Sequence, residues 1–422
     1  MNCRASLSFP AILALLAVSA CQIAPSAPGQ STASPGWVGS WASAQQIPEL
    51  RNALPAADLD NATLRQVIRV TLGGERIRLR VSNVYGTAPL TIGETSIARS
   101  VEPNSAGIDP RTLKVTFSNQ KSVTVPAGAY VLSDPFRFSV EPLTHLSVSL
   151  YFPQAPQQQT GHPGSRATSY LLPGNRVKER MLPDAKQADH WYQLAGLDVE
   201  ATGSSRALVV IGDSITDGFG VQPNTDQRWT DFLISRVQAD PELQDRLAVL
   251  NVGLGGNRLL LDGLGPNGLA RFDRDVLNRP GAAHVIVLLG VNDVGMLSRE
   301  EGAEQRDYDN LVARMPAAYE QMIMRAREKD IRIIGATIMP FAGSTFYPSN
   351  EMAEAARQTV NAWIRKPGTF DAVVDFDALM RSPDDPSRLN PAYDSGDHLH
   401  PSIAGYQAMA EFVSLDLFKN PL

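Results

Sequence analysis

The chain has 422 residues, enough for two or three domains that each bury a core of their own. Hydrophobic residues make up 43% of it and charged residues 19%, which is typical of a globular protein rather than a disordered or membrane-embedded one. A net charge of −6, without a dense run of Lys or Arg, argues against a nucleic-acid-binding surface.

Residues 1–20 are typical of an export signal, in which a short positive region precedes an apolar segment too short to span a bilayer stably. They lead into Cys21, and the run Val-Ser-Ala-Cys resembles a bacterial lipobox, whose cysteine is lipidated. Cys3 and Cys21 are the two cysteines of the chain, so the mature protein would form no internal disulfide and Cys21 would serve as an acyl anchor. Residues 21–36, rich in Pro, Ser and Ala, predict a flexible tether. We expect an exported lipoprotein of the periplasm or outer membrane, with a plain secretory signal as the alternative.

Apolar and polar residues alternate from residue 37 to about residue 200, and this period of two predicts β-strands. Two such runs, 68–72 and 77–81, flank Gly73-Gly74, which we expect to form a hairpin turn. Arginines alternate with apolar residues in the second run and predict a solvated sheet face: Arg76, Arg78 and Arg80. Many short antiparallel strands at this spacing predict a β-sandwich or jelly-roll domain over residues 37–200.

Strands alternate with helices from Ala207 onward, the pattern of an α/β fold with a doubly wound parallel sheet. The candidate strands are 207–211, 247–252, 284–289, 331–338 and 372–376, and the candidate helices are about 229–238, 308–329, 351–364 and 403–414. Because the carboxyl ends of parallel strands face the ligand crevice, the residues that follow the strands are candidate functional residues. They are Ser214, the glycine-rich run 253–256, Asn292, and the segment from Asp397 to His400.

These residues form the inventory that acyl transfer requires: a hydroxyl nucleophile, a base, a carboxylate that orients the base, and donors for the oxyanion. Each has a structural interpretation when taken alone, since Ser214 or Asn292 could cap a helix and a histidine could belong to the core. Their joint occurrence in this order favours catalysis. Asp397 precedes His400 by three residues and can reach its imidazole, whereas His398 points elsewhere at that offset.

Four short blocks resemble the conserved blocks of the SGNH (GDSL-type) hydrolase superfamily of esterases and lipases, over roughly residues 205–418. The blocks are Gly212-Asp213-Ser214, Gly256, Gly290-x-Asn292-Asp293 and Asp397-x-x-His400. The resemblance implies a flavodoxin-like fold with Ser214 as nucleophile, His400 as base and Asp397 as its orienting acid. It also implies an oxyanion hole formed by the N–H groups of Ser214 and Gly256 and the side-chain amide of Asn292. The N-terminal half looks like the β domain of a secreted subset of this superfamily.

The substrate is less well defined by the sequence. Export, together with a β domain beside an esterase, favours an acetylated extracellular or periplasmic glycan. Aromatic residues after the fourth strand could form a platform for a sugar ring or pack locally: Phe341, Phe346 and Tyr347. Leucines beyond the oxyanion glycine could line a channel for a medium-length acyl group, as in a lipase or arylesterase, or belong to the core: Leu259, Leu260, Leu261, Leu264 and Leu269.

Two further alternatives remain open, a catalytically inactive glycan-binding surface lipoprotein and a transacylase that moves acetyl groups between sugars. The mechanism requires no metal or organic cofactor. Three isolated histidines show no metal-ligand spacing and are expected to be structural or surface residues: His145, His162 and His190. We expect an ester substrate as the partner, no nucleic acid, and membrane contact only through a lipid at Cys21.

Overall fold

The computed structural model describes Met1 and residues 36–201, 203–348 and 350–419. The predicted export signal (residues 1–20), tether (residues 21–36) and anchor residue Cys21 lie outside this described part except for Met1 and Gly36, and Gly36 begins the first strand rather than ending a tether. The described residues from Gly36 onward cluster into one compact unit. Within the described residues, no helix is both long enough and apolar enough to cross a membrane. The domain boundaries predicted near residues 37, 200, 205 and 418 stay a prediction, because the described residues from Gly36 onward are not divided further.

The first half of the described chain consists of short antiparallel strands and one helical turn. The strands are β1 (Gly36–Ala42), β2 (Ala62–Arg69), β3 (Gly74–Ser82), β4 (Leu90–Ile92), β5 (Glu94–Arg99), β6 (Leu113–Val115), β7 (Val123–Val125), β8 (Tyr130–Leu132), β9 (Phe136–Val140), β10 (His145–Phe152), β11 (Gly161–His162), β12 (Ser169–Pro173), β13 (Lys186–Ala188), β14 (Trp191–Tyr192) and β15 (Leu194–Ala201), and the turn is α1 (Ala56–Leu59).

Two larger antiparallel sheets organise these strands. One has the order β1-β15-β3-β8 with β9 also paired to β3, and the other has the order β13-β12-β2-β10-β5-β6. Apolar side chains of both sheets, such as Ile68 and Leu79, belong to the same hydrophobic core. Two strand pairs, β4-β7 and β11-β14, complete the antiparallel region. The all-β class predicted for the N-terminal half is confirmed.

The hairpin predicted at Gly73-Gly74 is wrong. The strand before it, β2, pairs with β10 and β12, whereas the strand after it, β3, pairs with β15, β8 and β9 in the other sheet. The glycines therefore carry the chain from one sheet to the other. Alternating side chains show that a strand buries one face, but this period does not identify the neighbour to which the strand is hydrogen-bonded.

The solvated arginine face predicted on β3 is only partly present. Arg76 and Arg78 pair across the strands with Glu200 and Asp198, at 3.0 and 2.8 Å. Arg80 is only 6% exposed, so the prediction is wrong at this position. Its end of β3 faces the segment Asp273–Leu277 of the second half of the chain rather than water.

The second half is an α/β structure. Its strands are β16 (Arg206–Gly212), β17 (Leu247–Gly253), β18 (Ala282–Leu288), β19 (Arg332–Ala336) and β20 (Ala372–Val374). Its α-helices are α2 (Ser214–Asp217), α3 (Trp229–Ala239), α4 (Gly268–Phe272), α5 (Val291–Leu297), α6 (Gln305–Arg327), α7 (Glu351–Arg365), α8 (Phe376–Met380) and α9 (Ile403–Phe412), with a π-helical turn at Asp273–Leu277 and a 3₁₀ turn at Leu415–Phe418.

The five strands of this half form one parallel sheet in the order β17-β16-β18-β19-β20. This is the flavodoxin-like order, so the predicted fold class is confirmed. The interior strand β16 is buried from Ala207 to Gly212, which explains its continuous apolar run. Because β17, β16 and β18 are parallel neighbours in the sheet, the residues that follow these strands lie together at its carboxyl edge.

Strand β1 connects the antiparallel half to this sheet. Gly39 lies so close to β17 that a Cβ atom there would stand 2.8 Å from Cδ1 of Leu250. Its backbone N–H donates to the carbonyl of Pro280, at 2.8 Å. Arg279 reaches back and donates to the carbonyl of Ala195 in β15, at 2.9 Å. These contacts hold the antiparallel sheets beside the parallel sheet, where their loops can reach its carboxyl edge.

Candidate active site

Ser214 begins α2 directly after the buried strand β16. Asp213 caps this helix, because its carboxylate accepts a hydrogen bond from the backbone N–H of Ile215 at 3.0 Å. Ser214 is 8% exposed and lines a cleft of about 730 Å³ at the carboxyl edge of the sheet. The sharp passage from strand to helix therefore directs this serine towards the cleft.

The structure brings Ser214, His400 and Asp397 together in one hydrogen-bonded row. Ser214 Oγ lies 2.8 Å from His400 Nε2, and His400 Nδ1 lies 2.7 Å from Asp397 Oδ2. The second carboxylate oxygen of Asp397 accepts the backbone N–H groups of Leu399 and His400, at 2.9 and 2.8 Å. Burial alone would raise the pKa of Asp397, but the hydrogen bonds from His400 and Leu399 hold it well below its usual range.

Aromatic side chains hold the His400 imidazole from two directions. Phe219 stacks on the ring, with centroids 4.0 Å apart and planes 25° apart. Phe346 meets the ring edge-on at 5.3 Å. His400 is 2% exposed, whereas His398 turns away and pairs through Nδ1 with Asp394 at 2.5 Å, as its offset predicts. Of the aromatic residues proposed as a sugar platform, only Phe346 remains substantially exposed in the cleft.

The side-chain amide of Asn292 is held in one orientation. Its Nδ2 donates to the backbone carbonyl of Asn257 at 2.9 Å, and its Oδ1 accepts the hydroxyl of Tyr347 at 2.5 Å. Burial raises the pKa of Tyr347 to about 12, so this hydroxyl remains a donor at neutral pH. An amide nitrogen carries two hydrogens, so one N–H of Asn292 remains available to a ligand in the cleft.

Arg271 holds Asn257, the residue whose carbonyl accepts the Asn292 amide. Its guanidinium is fully buried and donates twice to Asn257 Oδ1, at 2.8 and 3.0 Å. It also donates to the carbonyls of Gly212 and Val252, at the ends of β16 and β17. Arg271 and Tyr347 were not predicted to support the site. The role of Asn257 could have been suggested by its position, because it directly follows the oxyanion glycine Gly256 in the sequence.

Gly256 lies in the loop after β17 with a φ of 66°, a left-handed conformation that favours glycine. A Cβ atom there would stand 3.0 Å from Cδ1 of Leu264. Gly256, Ser214 and Asn292 line the same cleft, so the three predicted oxyanion donors come together. Leu264 also lines this cleft, whereas Leu259 is fully buried in the core.

Two buried carboxyl groups lie behind the site. Burial raises the pKa of Asp213 to about 7 and that of Asp293 to about 6. Asp293 accepts the backbone N–H groups of Leu259 and Leu260, at 2.7 and 3.0 Å. The third predicted block therefore also anchors the loop that follows the oxyanion glycine.

The antiparallel half supplies one wall of the cleft. Its lining residues are Gln46, Glu49, Arg51, Asn52, Pro163, Gly164, Arg166 and His190. His162 binds across the two halves, with Nε2 2.9 Å from Asp217 Oδ1 and Nδ1 2.8 Å from the carbonyl of Ala44. His145 pairs with Asp226 at 2.7 Å. Across the described residues, no group of three or more His, Cys, Asp or Glu side chains could hold a metal ion.

The match of the chain to a known protein family spans these motifs. Residues 210–408 match the GDSL-like Lipase/Acylhydrolase family. A search of curated proteins found no match. A GDSL-like lipase from Bacteroides thetaiotaomicron is 22% identical and aligns over 49% of this chain and 85% of its own, with a TM-score of 0.35. An acetylxylan esterase from Geobacillus stearothermophilus is 24% identical and aligns over 50% of this chain and 92% of its own, also with a TM-score of 0.35.

Proposed function

We propose that the chain is a carboxylic ester hydrolase and that Ser214, His400 and Asp397 perform its chemistry. The match of residues 210–408 to the GDSL-like Lipase/Acylhydrolase family supports this proposal. The observation that carries this proposal is the row of hydrogen bonds from Ser214 Oγ to His400 Nε2 and from His400 Nδ1 to Asp397. A hydroxyl, an imidazole and a carboxylate in this order form the arrangement that activates a serine nucleophile.

In the first half of the reaction, His400 Nε2 accepts the proton of Ser214 as Oγ attacks the ester carbonyl. The carbonyl π electrons move to its oxygen, and the resulting oxyanion accepts hydrogen bonds from the N–H groups of Ser214 and Gly256 and from Nδ2 of Asn292. When the tetrahedral intermediate collapses, the bond to the alcohol oxygen breaks and His400 gives its proton to that oxygen. An acyl-serine and a free alcohol result.

The second half repeats these steps with water as the nucleophile. His400 accepts a proton from water, which attacks the acyl carbonyl, and then returns a proton to Ser214 Oγ as the acid leaves. Asp397 remains a carboxylate throughout, because the hydrogen bonds it accepts keep its pKa low. It holds the Nδ1–H tautomer of neutral His400 and stabilises the imidazolium that forms in each half.

We further propose that the natural substrate is an acetylated glycan outside the cytoplasm. Support comes from the cleft, which is about 730 Å³ in volume and is walled on one side by polar residues of the antiparallel half such as Asn52 and Gln46. Leu264 and Met296 also line it and favour the alternative of a medium-length acyl group. An export signal followed by a lipid at Cys21 would bring the enzyme to the periplasmic or outer-membrane surface, and this localisation rests on the sequence pattern alone.

Hydrolysis of p-nitrophenyl esters from acetate to decanoate tests the proposal. We expect acetate to be cleaved fastest, Ser214→Ala to be inactive, and the control Ser235→Ala, which alters an exposed hydroxyl on α3, to retain activity. Fastest cleavage of decanoate would favour the lipase alternative. A folded chain that cleaves none of the esters would favour the inactive glycan-binding lipoprotein. Addition of a sugar acceptor, with analysis of the products, distinguishes hydrolysis from transacylation.

A further inference from the structure

The charge of the cleft differs from that of the whole protein. The chain carries a net charge of −6, yet four arginines line the cleft: Arg51, Arg166, Arg258 and Arg299. Two carboxylates also line it, Glu49 and Asp217. A concave site that concentrates positive charge on an acidic protein attracts an anionic ligand selectively.

Both carboxylates of the cleft are already engaged. Asp217 is buried against His162 at 2.9 Å. Glu49 accepts the side-chain amide of Asn52 at 2.9 Å and lies 3.7 Å from Arg51. Neither is paired with the remaining three arginines of the cleft, so the positive charge there is not neutralised by these groups.

Arg166, Arg258 and Arg299 form no ion pair with any carboxylate of the described residues. The Nε atoms of Arg166 and Arg258 are buried and have no hydrogen-bond acceptor in this part of the chain. The Arg299 guanidinium lies over the ring of Tyr347 at 5.8 Å and is exposed to the cleft mouth. Guanidinium groups bind carboxylates through two parallel hydrogen bonds, and none of these three arginines forms such a pair with a carboxylate of the described residues.

The position of Arg166 indicates which half of the ester it would contact. Its guanidinium lies over the ring of Phe219, 5.7 Å from the centroid, and Phe219 stacks on His400. His400 delivers a proton to the leaving alcohol, so the alcohol half of the ester must lie beside this histidine. Arg258 directly follows Asn257, whose carbonyl accepts Asn292 Nδ2, and Arg299 lies over Tyr347, which donates to Asn292 Oδ1. Both arginines are therefore on the oxyanion side of the cleft.

We propose that the alcohol half of the substrate is an acidic saccharide whose sugar carboxylates bind Arg166, Arg258 and Arg299. This assignment rests on the proposed esterase function and names its substrate class: an acylated polyanionic glycan of uronate type rather than a neutral one. Arg166 binds the carboxylate of the sugar that carries the ester, and the other two arginines bind carboxylates of neighbouring sugars along the cleft.

Two probes that differ in one group test the proposal: methyl glucuronide and methyl glucoside, each acetylated at the same hydroxyl. Binding is measured by calorimetry on Ser214→Ala, which cannot turn the esters over. We expect the acidic ester to bind at least about tenfold more tightly than the neutral ester. The preference should shrink at about 0.5 M NaCl, because salt screens exposed charges. Equal dissociation constants for the two esters would overturn the proposal.

Arginine variants in the Ser214→Ala chain assign the effect to the cleft. Arg166→Gln should reduce the ratio of the two dissociation constants about tenfold. Arg299→Gln, at an exposed position where loss of folding is not expected, should reduce the ratio by a smaller factor, because with these single-sugar probes Arg299 contributes only through the positive potential of the cleft. The control Arg306→Gln, 77% exposed at the start of α6 and outside the cleft, should leave the ratio as it is. A ratio that survives both cleft variants contradicts the assignment.

This experiment separates the two proposals. Failure of the wild-type chain to hydrolyse p-nitrophenyl acetate would contradict the esterase mechanism, but the binding preference on Ser214→Ala would still be measured. Ser214-dependent hydrolysis without a preference for the acidic ester would contradict the acidic-glycan proposal alone.

Discussion

Removal of the Tyr347 hydroxyl should reduce kcat by loosening the oxyanion amide. This hydroxyl donates to Asn292 Oδ1 at 2.5 Å, while Asn292 Nδ2 donates to the carbonyl of Asn257 at 2.9 Å. Together the two hydrogen bonds select the amide orientation that directs an N–H into the cleft. In Tyr347→Phe only the second bond remains, so the amide spends part of its time in orientations that cannot stabilise the oxyanion.

The expected loss of kcat follows from the one hydrogen bond that the Tyr347→Phe substitution removes. A neutral hydrogen bond contributes a net of about 1 kcal/mol, so Tyr347→Phe should lower kcat about fivefold. Asn292→Ala removes the donor itself and should lower kcat by about 10² to 10³. In the Asn292→Ala chain, Tyr347→Phe should have no further effect, because the amide it orients is gone.

The assay is the steady-state hydrolysis of p-nitrophenyl acetate by the two single variants and the double variant. Tyr308→Phe is the matched control, because this buried hydroxyl contacts Asn350 rather than the oxyanion network. Two results would refute the reasoning: a Tyr347→Phe enzyme with wild-type kcat, or a fivefold loss that recurs undiminished in the Asn292→Ala chain.

Three further predictions concern stability and backbone geometry. Burial raises the pKa of Asp213 to about 7, so the folded state retains a proton that the unfolded chain loses near pH 4. The free energy of unfolding should therefore fall as pH rises from about 4 to 7. Urea denaturation at several pH values measures this fall, which should be smaller for Asp213→Asn. His162→Ala leaves Asp217 buried without its partner and should lower the free energy of unfolding by about 3–5 kcal/mol, with partial recovery when Asp217→Asn is added. Gly256→Ala, at a φ of 66°, should lower kcat about tenfold or more, whereas Gly128→Ala, at a φ of 76° with open space around it, should cost only stability. Equal losses of kcat in the two glycine variants would contradict a specific role for Gly256.

The parallel sheet was predictable because its strands are buried on both faces. The first strand of the sheet in chain order, expected at 207–211, spans Arg206–Gly212, and the long helix expected at about 308–329 spans Gln305–Arg327. Continuous apolar runs and long amphipathic segments are strong local signals. Short helices such as α4 and α8, of five residues each, contain too few turns for a helical period to appear.

The candidate triad could also be predicted from the sequence, because its residues follow local signals. Ser214 follows a strand directly, and Asp397 and His400 are three residues apart, so their proximity depends on local geometry and on the sheet order. In contrast, Arg166 and Arg271 reach the site through contacts distant in sequence, and no local period indicates such contacts. The error at Gly73-Gly74 has the same origin, because the partners of a strand are chosen by the packing of the whole sheet.

Covalent labelling tests the central claim most directly. A phosphonofluoridate that mimics the tetrahedral intermediate should react with the wild-type chain once, and mass spectrometry should place the phosphonyl group on the peptide that contains Ser214. The His400→Ala chain should react far more slowly, because the base 2.8 Å from Ser214 Oγ has been removed. Labelling of another residue, or no labelling of a folded wild-type chain, would contradict the assignment of Ser214 as the nucleophile.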